Sequence, residues 1–534
     1  NKIFRPTLPN GNFPVIRGTD RYHGPTATTS GGASVTSNGG PVHRRIAIVG
    51  AGFGGIGTAI RLKQRGYDDF VVFDRGDDVG GTWRDNTYPG CACDVPSHVY
   101  SFSFAPNPDW SRSFSGQPEI WDYLRACVTR YGLAPHLRLR HEVLEADWDE
   151  ATGRWLIETS QGRYSADVLV AAGGPLNDPS IPDLPGLAAF SGEVFHSSRW
   201  NHDHDLTGRR VAVIGTGASA IQFVPEIAPD VARLHLFQRT PAWIMPRADR
   251  AITDLERRLF RAFPPTQRAV RAGIYWAREG TAAGFLYPAV MRAGMAVARR
   301  HLRKSVADPR LREKLTPSYT MGCKRVLLSN DYYPALTRDN VEVVTDGITE
   351  VRPDGIVTRD GTLHEVDTMI FGTGFHVTDA PVARLIRGRD GRTLADTWQG
   401  SMRAYRGISV TGFPNLFMLL GPNTGLGHNS VVFMIECQIT YLLGALRHLD
   451  RAGVPAMEPT PRAQEAFVAS VDRRMKGTVW TSGGCRSWYL DATGRNSTLW
   501  PGYTWSYWLR TRRFDPGAYR PVPLRQSRSL GEVG

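Results

Sequence analysis

Residues 45–55 read RIAIVGAGFGG, and this run decides the fold. Ile46 to Val49 form an apolar stretch of buried-strand length. It leads straight into Gly50, Gly52 and Gly55, spaced G-x-G-x-x-G. The first glycine permits a tight turn, the second a close approach of backbone to a pyrophosphate, the third close packing of helix on strand. Helical periodicity follows in Ile56, Ala59, Ile60 and Leu62, then a second apolar run from Phe70 to Phe73 that ends at Asp74. Asp74 stands 24 residues beyond Gly50, where an acid would meet a ribose hydroxyl. Strand, loop, helix, strand and acid in this order predict a βαβ nucleotide site with helix N–H groups facing the phosphates.

The pattern recurs. Arg210 to Ile214 runs into Gly215-Thr216-Gly217-Ala218-Ser219-Ala220, a helix ending near Ala228 and a strand from Leu234 to Phe237. This strand ends in Gln238-Arg239-Thr240, not in an acid. A cation in the acid's place suits a 2′-phosphate and favours NADPH over NADH.

Between the two loops lies FSGEVFHSSRW, residues 190–200, with Phe190, Gly192, His196 and Trp200 in the spacing F-x-G-x-x-x-H-x-x-x-W. It reads as a linker that keeps two cofactors in register, with His196 a hydrogen-bonding residue of that linker. A glycine- and aromatic-rich loop, Gly80-Gly81-Thr82-Trp83 through Tyr88-Pro89-Gly90 to Asp94, reads as a cover over a flat ring, with Asp94 a fixed charge.

Elsewhere, a short strand is expected at 101–104, a helix over 117–131, and strands near 137–144, 154–157, 168–172, 341–344, 369–371 and 414–420. Residues 250–318 interleave basic and apolar side chains, and a helical cap inserted in the second nucleotide unit is preferred to a membrane-surface helix. A long helix is expected through 431–449. The tail gathers Trp488, Trp500, Trp505 and Trp508 with three tyrosines, as a pocket lining or a core cover.

The 534 residues exceed one core, and no run of eighteen apolar residues or signal-peptide pattern appears, which reads as a soluble, cytoplasmic chain. The six cysteines are scattered and read as reduced thiols. Cys91 and Cys93 lack the His/Cys partners of a metal site, so no metal is expected. The net charge of +13 is dispersed and comes with no nucleic-acid motif, so a phosphate-rich cofactor accounts for it better than nucleic acid.

Taken together, the two loops, the 190–200 segment and the Trp83 loop resemble the type I Baeyer–Villiger monooxygenases, over about residues 42 to 515. The family's F-x-G-x-x-x-H-x-x-x-W signature is met at Phe190, Gly192, His196 and Trp200. Its [A/G]-G-x-W-x4-[F/Y]-P-[G/M]-x3-D pattern is met from Gly80 to Asp94. Asn201 departs from the Pro or Asp usual after the signature Trp.

The resemblance implies an α/β fold with two dinucleotide-binding, Rossmann-like domains of the flavoprotein-monooxygenase type and an inserted helical subdomain. After a flexible arm over 1–41, an FAD domain spans 42–176 and 377–534, an NADPH domain spans 177–249 and 321–376, and the insert spans 250–320. It further implies that NADPH reduces FAD and that a C4a-peroxyflavin, stabilised by Arg325, attacks a ketone, expected to be apolar, to give an ester or lactone with O2 as co-substrate. Arg325 would be the catalytic arginine and Asp94 its partner. The FAD contacts would be Gly50, Gly52, Gly55, Asp74, Gly81, Thr82, Trp83, Asp94, Tyr100 and Val143. Those to NADP would be Gly215, Thr216, Gly217, Ala218, Ser219, Gln222, Arg239, Thr240, Lys324 and Trp488. The competing readings are a flavin monooxygenase acting on nitrogen or sulfur, whose relatives lack the Trp83–Asp94 pattern, and a non-catalytic or electron-carrying flavoprotein, which has no need of Arg325. A disulfide reductase fits poorly, because a single residue separates Cys91 from Cys93.

Overall fold

The computed structural model describes residues 40–523. The expected arm at 1–41 lies outside them except for its last two residues.

Two sheets, one mixed and one parallel, position the site. In the first, Val42–Val49 lies between Phe70–Phe73 and Gly162–Ala171, with Ile46 level with Phe70 and Val168. Leu137–Arg138 extends one edge. Beyond Gly162–Ala171 stand the antiparallel strands Arg154–Thr159 and Val143–Asp149, and Leu416–Met418 returns from late in the chain to pair with residues 169–171. The second sheet runs Val341–Val344, Arg233–Phe237, Arg210–Ile214, Thr368–Phe371, Glu193–His196, all parallel. Its central strand is buried from Val211 to Ile214, which is why it reads as an unbroken apolar run.

After Arg233–Phe237 the chain forms five helices, Asp254–Ala262, Pro264–Leu286, Pro288–Ser305, Pro309–Lys314 and the short Tyr332–Leu336, before re-entering the sheet at Val341–Val344. Three open on proline, whose missing N–H is unpaired at a helix start in any case. The first opens on Thr253, in a capping box with Glu256. The architecture is thus α/β, two Rossmann-like units with a helical insert. Leu255, Trp276 and Tyr287 of the insert stay largely exposed. Among the described residues no helix is long and apolar enough to cross a membrane.

The long helix Val431–Ala452 turns Met434, Ile435, Ile439, Leu442 and Leu446 inward. Each such burial contributes about 1.5–3 kcal/mol. The helix packs on Phe53–Lys63, where a Cβ at Gly57 would stand 2.7 Å from Phe102 and 3.1 Å from Ile439.

Four expectations need correction. Residues 101–104 are turns, because the Phe102 and Ser103 N–H groups go to the Tyr123 hydroxyl and the Glu436 carboxylate instead of a strand ladder. The strand expected over 137–144 breaks at Arg140, whose φ of 56° turns the chain between Leu137–Arg138 and Val143–Asp149. Residues 193–196 are an edge strand of the second sheet, not a bare linker. The cysteines are not all thiols: Cys323 and Cys485, 162 residues apart, form a disulfide with Cα atoms 6.1 Å apart, while Cys91, Cys93, Cys127 and Cys437 are free. Spacing along the sequence carries no trace of that pair.

Candidate active site

At the first loop, Gly50 has φ +104°, and a Cβ there would meet the Ala172 carbonyl oxygen at 2.6 Å. A Cβ at Gly55 would fall 1.8 Å from the Gly50 carbonyl oxygen, so helix and strand close only on glycine. Asp74 spends its carboxylate on the loop itself. It accepts from the Ala51 and Gly76 N–H groups at 2.8 Å each and from Arg84 Nη1 at 2.6 Å. Gly52 and Gly81 face each other, a Cβ on Gly81 lying 3.2 Å from Gly52 Cα. Thr82 and Trp83 start the short helix Thr82–Asp85 just beyond, and the buried Trp83 donates from Nε1 to the Tyr100 hydroxyl at 3.1 Å. Burial pushes the Tyr100 phenol far up. Val143, partly buried, packs against the core on one face of the first sheet.

The second loop repeats the geometry: Gly215 has φ +112°, and a Cβ there would lie 2.5 Å from the Gly372 carbonyl oxygen. Thr216 donates to the Thr240 carbonyl at 3.2 Å. Gly217, Ala218 and Ser219 lead into the helix Ala220–Ile227. Arg239 is exposed and Lys324 half-buried, and neither has an acidic partner among the described residues. Burial first, and then the Arg239 charge, hold the Lys324 ammonium below the usual lysine range. Two neighbouring cations with no acid between them form a site for an anion.

The Trp83–Asp94 loop joins the halves. Gly90, φ +74°, presses on the helix Ala220–Ile227, where a Cβ would meet the Gln222 carbonyl oxygen at 2.8 Å. The Tyr88 hydroxyl donates to Gln222 Oε1 at 3.0 Å, and Gln222 Nε2 donates to the Ala92 carbonyl at 2.9 Å. Two residues on, Asp94 accepts two parallel bonds from Arg325, Nε to Oδ2 and Nη2 to Oδ1, each 2.7 Å. The Asp94 charge raises the Arg325 pKa against the opposing effect of burial, so the guanidinium stays charged. The spacing of the sequence pattern is therefore the reach from the first loop to Arg325.

The Phe190–Trp200 segment is structural by contact. A Cβ at Gly192 would lie 2.3 Å from the Asp367 carbonyl oxygen, and Trp200 packs at 5.2 Å on both Phe195 and Phe223. His196 Nδ1 accepts from the Ser198 N–H at 3.1 Å, and burial lowers its pKa to about 4. Asn201 donates to Glu193 at 2.8 Å and accepts the Asp203 N–H at 3.1 Å, holding the turn after the signature Trp.

The aromatic tail divides. Trp488 is 45% exposed, whereas Tyr489 is 1% exposed and its phenol lies beside the Arg325 guanidinium. Trp500 and Tyr507 cover the core, while Trp505 and Trp508 face outward. Sequence reasoning missed Tyr489 and the bridge at Cys485, although the Ser487-Trp488-Tyr489 run pointed to the right loop. It also missed Glu279, a buried acid of the insert. Glu279 accepts from Asn429 Nδ2 at 2.8 Å, His428 Nε2 at 3.2 Å and the Thr504 N–H at 3.0 Å, pinning the insert to the late helix and tail. His235, Glu342 and His364 bring ligand-type atoms within 4.8 Å of one another, but Arg233 Nη2 already sits 3.1 Å from the Glu342 carboxylate.

Residues 43–255 match the family described as Flavin-binding monooxygenase-like. The chain is 54% identical over 497 residues to a protein of Streptomyces coelicolor named Baeyer-Villiger monooxygenase, covering 92% of this chain and 96% of that one. It is similar to the closed crystal structure of cyclohexanone monooxygenase, with a TM-score of 0.81 and 30% identity over 90% of this chain and 99% of that one. A complex of OTEMO with FAD and NADP gives a TM-score of 0.81 at 27% identity, covering 89% and 99%.

Proposed function

Because the chain belongs to the Baeyer–Villiger monooxygenases, we propose that it inserts one atom of O2 beside a ketone carbonyl to give an ester or lactone, with Arg325 as the fixed cation at the reacting oxygen. The enzyme depends on FAD and NADPH. Its residues fit both. Gly52 and Gly81 leave between them a cradle that side chains would fill, and Arg239 with Lys324 offers two unpaired cations to a 2′-phosphate. FAD supplies the electron transfer and the oxygen chemistry when bound.

The observation that carries this reading is the two-bond Asp94–Arg325 pair. Arginine is the fitting residue, since its guanidinium stays charged when buried and its planar fork is fixed by one carboxylate. With Nε and Nη2 taken by Asp94, Nη1 is left to face the oxygen on which negative charge develops. Phe285, Trp480 and Leu499 cluster with Tyr489 and Cys323 into an apolar wall on this side, which excludes water and suits an apolar ketone. Asp94, Trp83, Tyr100 and the first glycine loop serve FAD. Gln222, Thr240 and the second loop, with Trp488, serve NADPH.

The test is turnover of a cyclic ketone under ¹⁸O2. The expected lactone carries a single ¹⁸O from O2. An unlabelled lactone, or hydrogen peroxide with no lactone from any of a panel of apolar ketones, would overturn the reading.

A further inference from the structure

Two features beside Arg325 enter the scheme above only as apolar packing: the disulfide and the buried phenol. Cys323 stands two residues before Arg325, and Cys485 four before Tyr489. The bridge therefore ties the segment that carries the arginine to the loop that carries the tyrosine. The packing is built around it. A Cβ at Gly483 would meet Cys323 Cβ at 2.6 Å and Sγ at 3.0 Å, and the Thr320 N–H donates to the Gly483 carbonyl at 3.0 Å. The loop's far side is held by Thr498, whose hydroxyl donates to the Tyr489 carbonyl at 3.0 Å. Between these anchors the Tyr489 hydroxyl is buried, has no hydrogen-bond partner, and faces a guanidinium of which Asp94 uses only Nε and Nη2.

We propose that Tyr489 is a positioning residue for the Arg325 guanidinium, and that the Cys323–Cys485 bond makes this placement respond to thiol redox state. The proposal rests on Arg325 acting as the cation of the reaction. A buried hydroxyl at the open edge of a guanidinium keeps that edge from swinging away from the reacting oxygen. With the bridge closed, the loop between Cys485 and Tyr489 spans only a few residues and cannot lift. A dithiol opens it: the S–S bond breaks, Cys323 and Cys485 each gain a proton and an electron, and the reductant leaves as its own disulfide. Hydrogen peroxide closes it: the O–O bond breaks, the S–S bond forms, and two waters leave. While the bridge is open, Tyr489 lacks this anchor on the Arg325 side and keeps the Thr498 bond on the other.

The experiment uses the FAD-loaded enzyme with NADP⁺, as wild type, Tyr489→Phe and Cys485→Ser. Hydrogen exchange over residues 485–490 and the ester formed per NADPH consumed are followed before and after dithiol treatment, with thiols counted by mass spectrometry. Dithiol is expected to raise exchange in wild type and to lower ester per NADPH several-fold, with peroxide added afterwards restoring both. Cys485→Ser should match reduced wild type and ignore dithiol. Tyr489→Phe, which keeps the ring and so the packing, should lower kcat for oxygenation roughly tenfold while KM for the ketone stays within about twofold. Unchanged exchange and yield in fully reduced wild type would overturn the redox link, and wild-type kcat in Tyr489→Phe the positioning role. Full oxygenation by Arg325→Ala would instead remove the reading on which both stand.

Discussion

Gln222 holds the backbone of Ala92 from both sides: its Nε2 donates to the Ala92 carbonyl at 2.9 Å and its Oε1 receives the Ala92 N–H at 3.3 Å. One side chain on the second unit's first helix thus grips the loop that leads to Asp94. Its third bond, from the Tyr88 hydroxyl at 3.0 Å, engages the same loop. This is where the two glycine-rich loops become one machine. Gln222→Ala leaves the Tyr88 hydroxyl and the Ala92 groups unpaired, at roughly 1–3 kcal/mol. The expected outcome is a lower melting temperature together with a fall in ester formed per NADPH. A loss of stability with wild-type coupling would show that the grip is merely structural.

Asp94 and Arg325 permit a sharper test. Asp94→Asn keeps the size of the side chain but removes the charge that holds the guanidinium in place. Arg325→Lys keeps the charge but loses the fork, so one ammonium replaces two parallel bonds. Both are expected to cut kcat/KM for the ketone on the order of 10²–10³-fold. Flavin content by absorbance separates lost chemistry from lost cofactor. An Arg325→Lys enzyme within tenfold of wild type would mean that point charge, not orientation, is what the site requires.

Much of this was legible in the sequence because the motifs themselves are local. Gly50, Gly52 and Gly55 announce a turn by spacing alone, although Gly50 closes on Ala172, and Gly80 to Asp94 is a single loop whose pattern stands without its distant partners Gln222 and Arg325. Arg325 was reached only through its resemblance to a family position. Tyr489, Glu279 and the Cys323–Cys485 pair were not legible, because each meets partners more than a hundred residues away and no periodicity links them. The small antiparallel sheet Ile348–Arg352, Gly355–Thr358 and Leu363–Glu365 escaped for another reason, since its strands are too short and polar to stand out.

On the proposed reading Arg239 and Lys324 hold the 2′-phosphate, and titration tests it. Arg239→Ala removes one of two cations from a phosphate site, so KM for NADPH should rise about tenfold to a hundredfold while KM for NADH hardly moves. The Lys324 pKa adds a pH signature. Burial and the Arg239 charge lower it, so Lys324 loses its proton earlier than a free lysine as pH rises, and NADPH affinity falls with it. Arg239→Ala takes away one of these causes, and the alkaline limb of log(1/KM) should shift to higher pH. An unshifted limb would remove Lys324 from the phosphate site.

His196 makes a prediction about stability rather than turnover. Its pKa is lowered to about 4, first by burial, and its Nδ1 accepts the Ser198 N–H at 3.1 Å, a bond that only a ring unprotonated at that nitrogen can accept. The unfolded chain binds the proton near pH 6.5, so the folded state is favoured most above that value. Stability should therefore be lost as pH falls from about 6.5 toward 4, by about 3 kcal/mol at most from this group. His196→Gln keeps an acceptor without a titrating ring. Its melting temperature should be lower than that of wild type at pH 8 yet fall less steeply between pH 6.5 and 4.5. Parallel curves for the two proteins would place the acid sensitivity elsewhere, with His98, also lowered to about 4 by burial, as the next residue to substitute.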